Sequence, residues 1–215
     1  MNASDNNEQT WAEIVSLFEQ GSNDIVIMPV CPERAEETLQ RLQVSERSYL
    51  GSIACHSGGV MVDRGWIKLL GSGSELVYGD LLSWNGLGED TRIAPLRGAC
   101  VIAYDMAGGF FALNGGRFGE EEHSVYYFAP DTLEWENTEL AYSEFLAWLA
   151  NGDLELYYRT FRWSNWQEDA ASMDANQVIS YFPPLWSEEG SAETSSRKAV
   201  HIEEIWNSCV YEQKD

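Results

Sequence analysis

The chain is predicted to be an α+β protein: a single domain with a central, mainly antiparallel β-sheet flanked by helices. Three observations predict it. The middle of the sequence is a series of short apolar runs separated by Gly-rich breaks, and strands joined by connections that short must run antiparallel. Helical patterns open and close the chain instead of alternating with the strands. The 215 residues, 44% of them hydrophobic, suffice for one substantial core, and no repeat or long linker divides them. The expected boundaries are a flexible tail over residues 1–9, one domain over 10–210, and a C-terminal tail over 211–215.

Each element has a local cause. Thr10 with Glu13 forms a capping-box pattern ahead of Ile14, Val15, Leu17 and Phe18, so a helix should start there and stop at Gly21. "DIVIMPV" reads as a short buried strand. Pro32 suits a first helical position, and Ala35, Leu39 and Leu42 share one face of the helix that follows. Residues 51–74, "GSIACHSGGVMVDRGWIKLLGSGS", read as three strands: Ser52–His56, Val60–Asp63 and Trp66–Leu70. Ser57-Gly58-Gly59 and Arg64-Gly65 would be their turns. "GDLLSWNGLGE" reads as a short helix ending at Asn85-Gly86. Strands are expected at Ala99–Asp105, Phe110–Asn114 and Ser124–Ala129. Ser143 is then placed to cap an apolar helix ending at Asn151-Gly152, and Asp153 to cap the turn "LELYYRTF". "WSNWQEDAA" should be helical, "SYFPPLW" extended, Ser187–Arg197 a polar loop, and His201–Cys209 a last short helix.

The stretch "DMAGGFFALNGG", Asp105 to Gly116, invites comparison with a phosphate-binding loop. It lacks the Lys of Gly-x-x-x-x-Gly-Lys-Ser/Thr, and a strand rather than a helix follows Gly109. The reading is therefore a turn at Met106–Gly109, a strand with alternating faces, and a second turn at Gly115-Gly116 in which Asn114 bonds the backbone. Asp63 and Asp105 end strands and read as turn formers.

Charge is the dominant compositional signal. Thirty-five acids face 13 bases, for a net charge of −22. Such a field opposes nucleic acid and anionic membranes and favours a basic protein partner. The imbalance is concentrated between Arg117 and Tyr158, where Arg117 is the only base. Within it, Glu120, Glu121, Glu122, Asp131, Glu134 and Glu136 are the candidate partner-binding residues, with Tyr126, Tyr127, Trp135, Tyr142 and Trp148 as nearby aromatic anchors.

No other chemistry stands out. His56, His123 and His201 lack a second ligand at zinc-motif spacing, and Ser57 beside His56 does not sit in Gly-x-Ser-x-Gly. No catalytic, cofactor-binding or metal-binding residue is assigned, and no cofactor is expected. Cys31, Cys55, Cys100 and Cys209 form no Cys-x-x-Cys pair; Cys55 and Cys100 lie in apolar, strand-like runs, which fits free thiols in a reducing compartment. The polar, acidic start "MNASDNNEQT" has no signal-peptide features, and no apolar run is long enough to span a membrane. A cytoplasmic location is expected.

Three stretches, "GSIACHSGGVMVDRGWIKLLGSG", "GGFFALNGGRFGEEEHSVYYFAPDTLEWENTELAYSEFLAWLANGDL" and "YFPPLWSEEGSAETSSRKAVHIEEIWN", closely resemble an uncharacterised bacterial family catalogued as a domain of unknown function. The resemblance covers roughly residues 10–210. It implies a cytoplasmic bacterial protein and brings no activity or site. The order strand, Gly-Gly turn, "FFALN", "SVYYFAPD" and the helix "YSEFLAWLANGDL" also looks like the C-terminal half of the SUKH superfamily, which includes immunity proteins that neutralise toxins by binding them. The proline–aromatic helix and Asn-Gly-Gly turn of that superfamily are not visible; Trp84-Asn85-Gly86 is at best their remnant.

Two function classes follow. The first is a non-enzymatic, acidic protein-binding module of immunity type. The second is a small-molecule-binding protein or enzyme with a pocket over the sheet. An adjacent secreted toxin gene would favour the first, and a metabolic operon the second.

Overall fold

A computed structural model describes residues 3–89, 92–119 and 123–211. The chain is an α+β domain. Its sheet is a seven-stranded antiparallel meander in sequence order: β1 (Ile25–Met28), β2 (Gly59–Val62), β3 (Ile67–Leu70), β4 (Ala99–Asp105), β5 (Phe110–Asn114), β6 (Ser124–Phe128) and β7 (Trp135–Ala141). Strands β8 (Gln177–Phe182) and β9 (Ser196–His201) pair as a separate ribbon, tied to the main sheet where Ile179 N–H donates to the Met106 carbonyl at 2.8 Å.

The register sorts side chains onto two faces. Leu69, Ala103, Phe111, Tyr127 and Glu136 stand opposite one another across β3 to β7, with Asp105 opposite Ile67 on the same side. Helix α4 (Tyr142–Asn151) packs on β6 and β7 beside this face, and α1 (Ala3–Gln20) and α3 (Tyr49–His56) pack against α4 and each other. The other face carries Lys68, Tyr104, Phe110 and Phe128. Trp84, from the long β3–β4 connection, and Trp206, from a π-helical turn over Trp206–Tyr211, cover it, Trp84 tilted and Trp206 edge-on to Phe110; both are fully buried. The Asn85 side chain splices that connection to β4: its amide donates to the Leu81 and Val101 carbonyls, both at 2.9 Å, and its oxygen accepts from Val101 N–H at 2.7 Å.

Several elements depart from the sequence reading. Helix α1 begins at Ala3, so the expected start at Thr10 falls inside it, and Thr10 Oγ1 instead donates to the Arg47 carbonyl at 3.2 Å. "SIACH" is helical, not a strand: Ser48 caps α3 by accepting from Gly51 N–H at 3.0 Å, and Ser57-Gly58 leads from that helix into β2. Cys55 is therefore a helical residue. Residues 81–86 form consecutive turns, not a helix, organised by Asp80 Oδ1 accepting from Leu82 and Ser83 N–H. Ala141, not Ser143, is the N-cap of α4, with Glu144 reaching back to accept from the Ala141 N–H at 2.8 Å. Strands β7 and β9 form where acids and a polar loop were read. Helix α2 (Pro32–Leu42), the Asp63-Arg64-Gly65 hairpin turn, the Asp153 cap of α5 (Leu154–Tyr157) and helix α6 (Trp166–Ser172) agree with it.

The Asp105–Gly116 stretch is a turn, a strand and a turn. Asp105 Oδ1 accepts from Ala107 and Gly109 N–H, both at 2.9 Å, and Asn114 Oδ1 accepts from Gly116 N–H at 3.0 Å and Phe118 N–H at 3.1 Å. The left-handed glycines are Gly108 and Gly116. Gly109 is required for a different reason: a Cβ there would fall on the Tyr127 hydroxyl and the Asp105 carboxylate.

Candidate functional site

The candidate site grows from the Phe111 face of the sheet. Because β5 and β6 are buried strands of alternating pattern, Phe111 and Tyr127 sit side by side with ring centroids 4.6 Å apart. Helix α4 brings Phe145 and Trp148 over them. The short α5, started by Asp153, adds Tyr157, whose ring meets Trp148 edge-on at 4.9 Å. Between these rings and β7 lies a cleft of about 340 Å³, lined also by Glu136, Asn137, Thr138 and Leu140. That volume falls at the lower end of small-ligand sites. Among the described residues, no Lys or Arg lines it.

Behind the Tyr127 wall sits Asp105, a fully buried carboxyl. Tyr127 donates to its Oδ2 at 2.7 Å, so this carboxyl both forms the 105–109 turn and anchors the cleft wall. Burial raises the Asp105 pKa, while the Tyr127 hydroxyl and the Gly109 and Ala107 amides oppose the rise. Tyr157 is also held above its ordinary range, by burial first and then by the charges of Asp105, Glu136 and Asp131. The tyrosines stay neutral, and the cleft lies in a field of carboxylates.

Of the residues singled out from sequence, Glu136, on β7, lines this cleft and Asp131, in the β6–β7 turn, acts on Tyr157; both are exposed. Glu134 is exposed at the same turn but is not part of the cleft lining. Glu120, Glu121 and Glu122 lie outside the described residues. Among the aromatic anchors, Tyr127 and Trp148 line the cleft, whereas Tyr126 and Trp135 pack on Phe118, Tyr126 stacked and Trp135 tilted, and Tyr142 is buried. The strand β7 is a sheet edge, and its acids also discourage edge-to-edge pairing. Tyr157 and Leu156 were not foreseen; both are exposed, Leu156 by 56% and Tyr157 by 39%, next to the acidic rim.

A second aromatic cluster adjoins the cleft through Tyr158, whose ring meets Tyr157 edge-on at 4.9 Å. The Arg162 guanidinium, 4% exposed, stands 4.1 Å from the Trp166 ring centroid, 4.7 Å from Trp66 and 5.3 Å from Tyr158, and pairs with Asp63 and with Glu155 at 3.1 Å. The opposite face holds a cavity of about 220 Å³ lined by Lys68 and Tyr104. Burial pushes the Lys68 pKa down to about 8, and its Nζ donates to the Ala175 carbonyl at 3.0 Å. No helix among the described residues is long and apolar enough to cross a membrane.

An antiparallel meander domain with an acidic aromatic cleft on one face is the class these features define. The chain belongs to the family described as "Protein of unknown function DUF2625", whose model matches residues 2–205. It is 38% identical over 208 residues to the uncharacterised protein YbfG of Escherichia coli (strain K12), covering 97% of this chain and 93% of that protein. It is 32% identical over 194 residues to an uncharacterised protein of Haemophilus influenzae (strain ATCC 51907 / DSM 11121 / KW20 / Rd), covering 90% and 85%. No solved structure matches the chain.

Proposed function

We propose that the chain is a non-enzymatic binding protein whose cleft between α4, α5 and β7 receives a cationic side chain, Lys or Arg, presented by a basic protein partner. The observation that carries this reading is the pairing of Trp148, Tyr157, Phe111 and Tyr127 with Glu136 and Asp131 around a cleft to which no described Lys or Arg contributes. Aromatic faces attract cations within about 6 Å of the ring centroid, more strongly where water is excluded, and the net charge of −22 steers a basic partner toward the molecule. Arg162 uses the same combination of rings and carboxylates inside the fold. A protein partner suits the site better than a free amine, because exposed Leu156 and Tyr157 extend the contact surface beyond the cleft. Neutralisation of a toxin, implied by the SUKH resemblance, is one form of this function, with the toxin supplying the cation.

Titration calorimetry with short oligolysine and oligoarginine peptides tests the reading. The expected result is saturable one-site binding that weakens as salt rises and falls by about two- to fivefold in Trp148→Ala or Glu136→Gln, the loss of roughly one cation–π or charge contact at a partly exposed site, about 0.5–1 kcal/mol. Equal binding by wild type and both variants would reject the cleft as the site.

A further inference from the structure

A separate cluster lies away from the sheet, where α1 meets α3. Cys55 and His56 are the last two residues of α3, and Glu46 lies in the loop just before its Ser48 cap. The Cys55 sulfur, a Glu46 carboxylate oxygen and a His56 ring nitrogen all lie within 4.8 Å of one another. His56 Nε2 is 3.2 Å from Glu46 Oε1. That nitrogen is buried and makes no hydrogen bond among the described residues: the carboxylate oxygen is near but not aligned for one. The His56 ring is held in place by stacking on Trp11, with centroids 5.1 Å apart and planes at 21°.

These dimensions match a particular ligand set. In a tetrahedral zinc site, bonds of about 2.0–2.1 Å to nitrogen and 2.0–2.2 Å to oxygen place the two donors about 3.4 Å apart. The Nε2–Oε1 separation of 3.2 Å is close to that edge. A bond of about 2.3 Å to sulfur sets the other two edges near 3.6 Å; the sulfur lies within 4.8 Å of both other donors, so the Cys55 side chain must close any remaining gap on binding. We propose that Glu46, Cys55 and His56 form a binding site for one zinc ion. A thiolate and a carboxylate balance the two positive charges of the ion, and the thiol proton leaves to solvent on binding. Glu46 and His56 side chains are 30% and 28% exposed, and a water molecule would complete the fourth coordination position, as in other sites with three protein ligands. Spacing alone does not reveal this set, because Cys55 and His56 are adjacent and Glu46 precedes them by most of a helix. The three converge only because residues 49–56 are helical and the Ser45–Ser48 turn folds back under the helix, with Ser48 N–H donating to the Ser45 carbonyl at 2.9 Å.

The test uses untagged full-length protein freed of metal by chelator. Titration with Zn²⁺ against a chromophoric chelator should show one equivalent bound. Titration with Co²⁺ should give a thiolate-to-cobalt charge-transfer band and the intense visible bands of a tetrahedral centre. In Cys55→Ser the charge-transfer band should vanish. In Glu46→Gln and His56→Gln the Zn²⁺ affinity should fall by more than about tenfold, the loss that even outer-shell partners cause, with each variant's melting curve in chelator showing it folded. Thiol alkylation of the wild type read by mass spectrometry gives an answer that needs no variant: Zn²⁺ should protect Cys55 and leave Cys31 and Cys209 unprotected. Substoichiometric binding, an unchanged cobalt band in Cys55→Ser, or alkylation of Cys55 at the same rate with and without Zn²⁺ would each overturn the proposal.

Discussion

Replacing Gly109 by Ala tests how the cleft wall is held. Gly109 does not need a left-handed backbone, so a turn-propensity argument predicts little effect. The structure predicts a large one. A Cβ at this position would overlap both the Tyr127 hydroxyl and the Asp105 carboxylate, and these two groups are bonded at 2.7 Å with no solvent access. The methyl group can fit only if that bond opens. A hydrogen bond to a charged group contributes about 1.5–3 kcal/mol, and forcing an extra methyl into a packed site adds about 1–3 kcal/mol. The expected loss is therefore about 2.5–6 kcal/mol, or roughly 5–24 °C in melting temperature for a chain of this size. Gly116→Ala is the matched control. Its φ of 100° is left-handed, but nothing lies within 4 Å of a Cβ there, so it should cost only backbone strain, about 1 kcal/mol or somewhat more. Thermal and urea melts of both variants decide the matter. A Gly109→Ala protein that melts within about 2 °C of wild type, or that is more stable than Gly116→Ala, would refute this account of the Asp105–Tyr127 pair.

Further outcomes follow from single interactions. Asn85→Ala should destabilise by about 2–4 kcal/mol in urea melts, because it strips the Val101 N–H and carbonyl of their partner at a part-buried site; a loss under about 0.5 kcal/mol, the range of an ordinary surface substitution, would show that this bridge does not hold β4. Arg162→Lys should cost about 1–3 kcal/mol although the charge is kept, since an ammonium cannot reproduce the planar stacking between Trp66 and Trp166; an unchanged melting temperature would contradict it. Lys68 binds its proton less tightly in the folded chain, with a pKa near 8, than at its ordinary value of 10.5. The unfolded state then holds more protons between these values, so wild-type stability should rise relative to Lys68→Met as pH climbs from 8 toward 10.5. A flat or falling difference across that window would show that Lys68 is not desolvated.

The fold class was legible because its signals are local. Gly65 and Gly108 mark tight turns with positive φ, and the flanking runs alternate or are fully apolar, so β2 to β6 were readable with only end effects. The errors have physical causes. "SIACH" carries small and β-branched residues that suit a strand, and only the Ser48 cap, outside the apolar run, marks the helix. β7 has no apolar alternation, since an edge strand needs only one covered face and Glu136 and Glu139 can face water. β9 is mostly exposed and pairs through its backbone, which leaves almost no pattern in "SRKAVH". The site was half legible. Charge density pointed to the β6–β7 region, and Glu136, Tyr127 and Trp148 do meet there. That they meet as a cleft depends on α5 returning Tyr157 to the sheet, a long-range contact that no local spacing encodes. Asp105 read correctly as a turn former, but its bond to Tyr127 spans 22 residues and could not be read from the turn.

The central claim is that the cleft, and not the acidic surface in general, recognises a cationic side chain. The most direct measurement is a two-dimensional NMR titration of ¹⁵N-labelled protein with an oligolysine peptide, following the tryptophan indole N–H signals. Trp148 lines the cleft, while Trp186, 53% exposed, borders a different cavity with Leu185 and Pro184. The account predicts saturable movement of the Trp148 indole signal and the backbone amides of Glu136 and Tyr157, with Trp186 stationary, and saturation of that movement only at higher peptide concentration in Glu136→Gln. Diffuse shifts across all the acidic segments with Trp148 unmoved would contradict it.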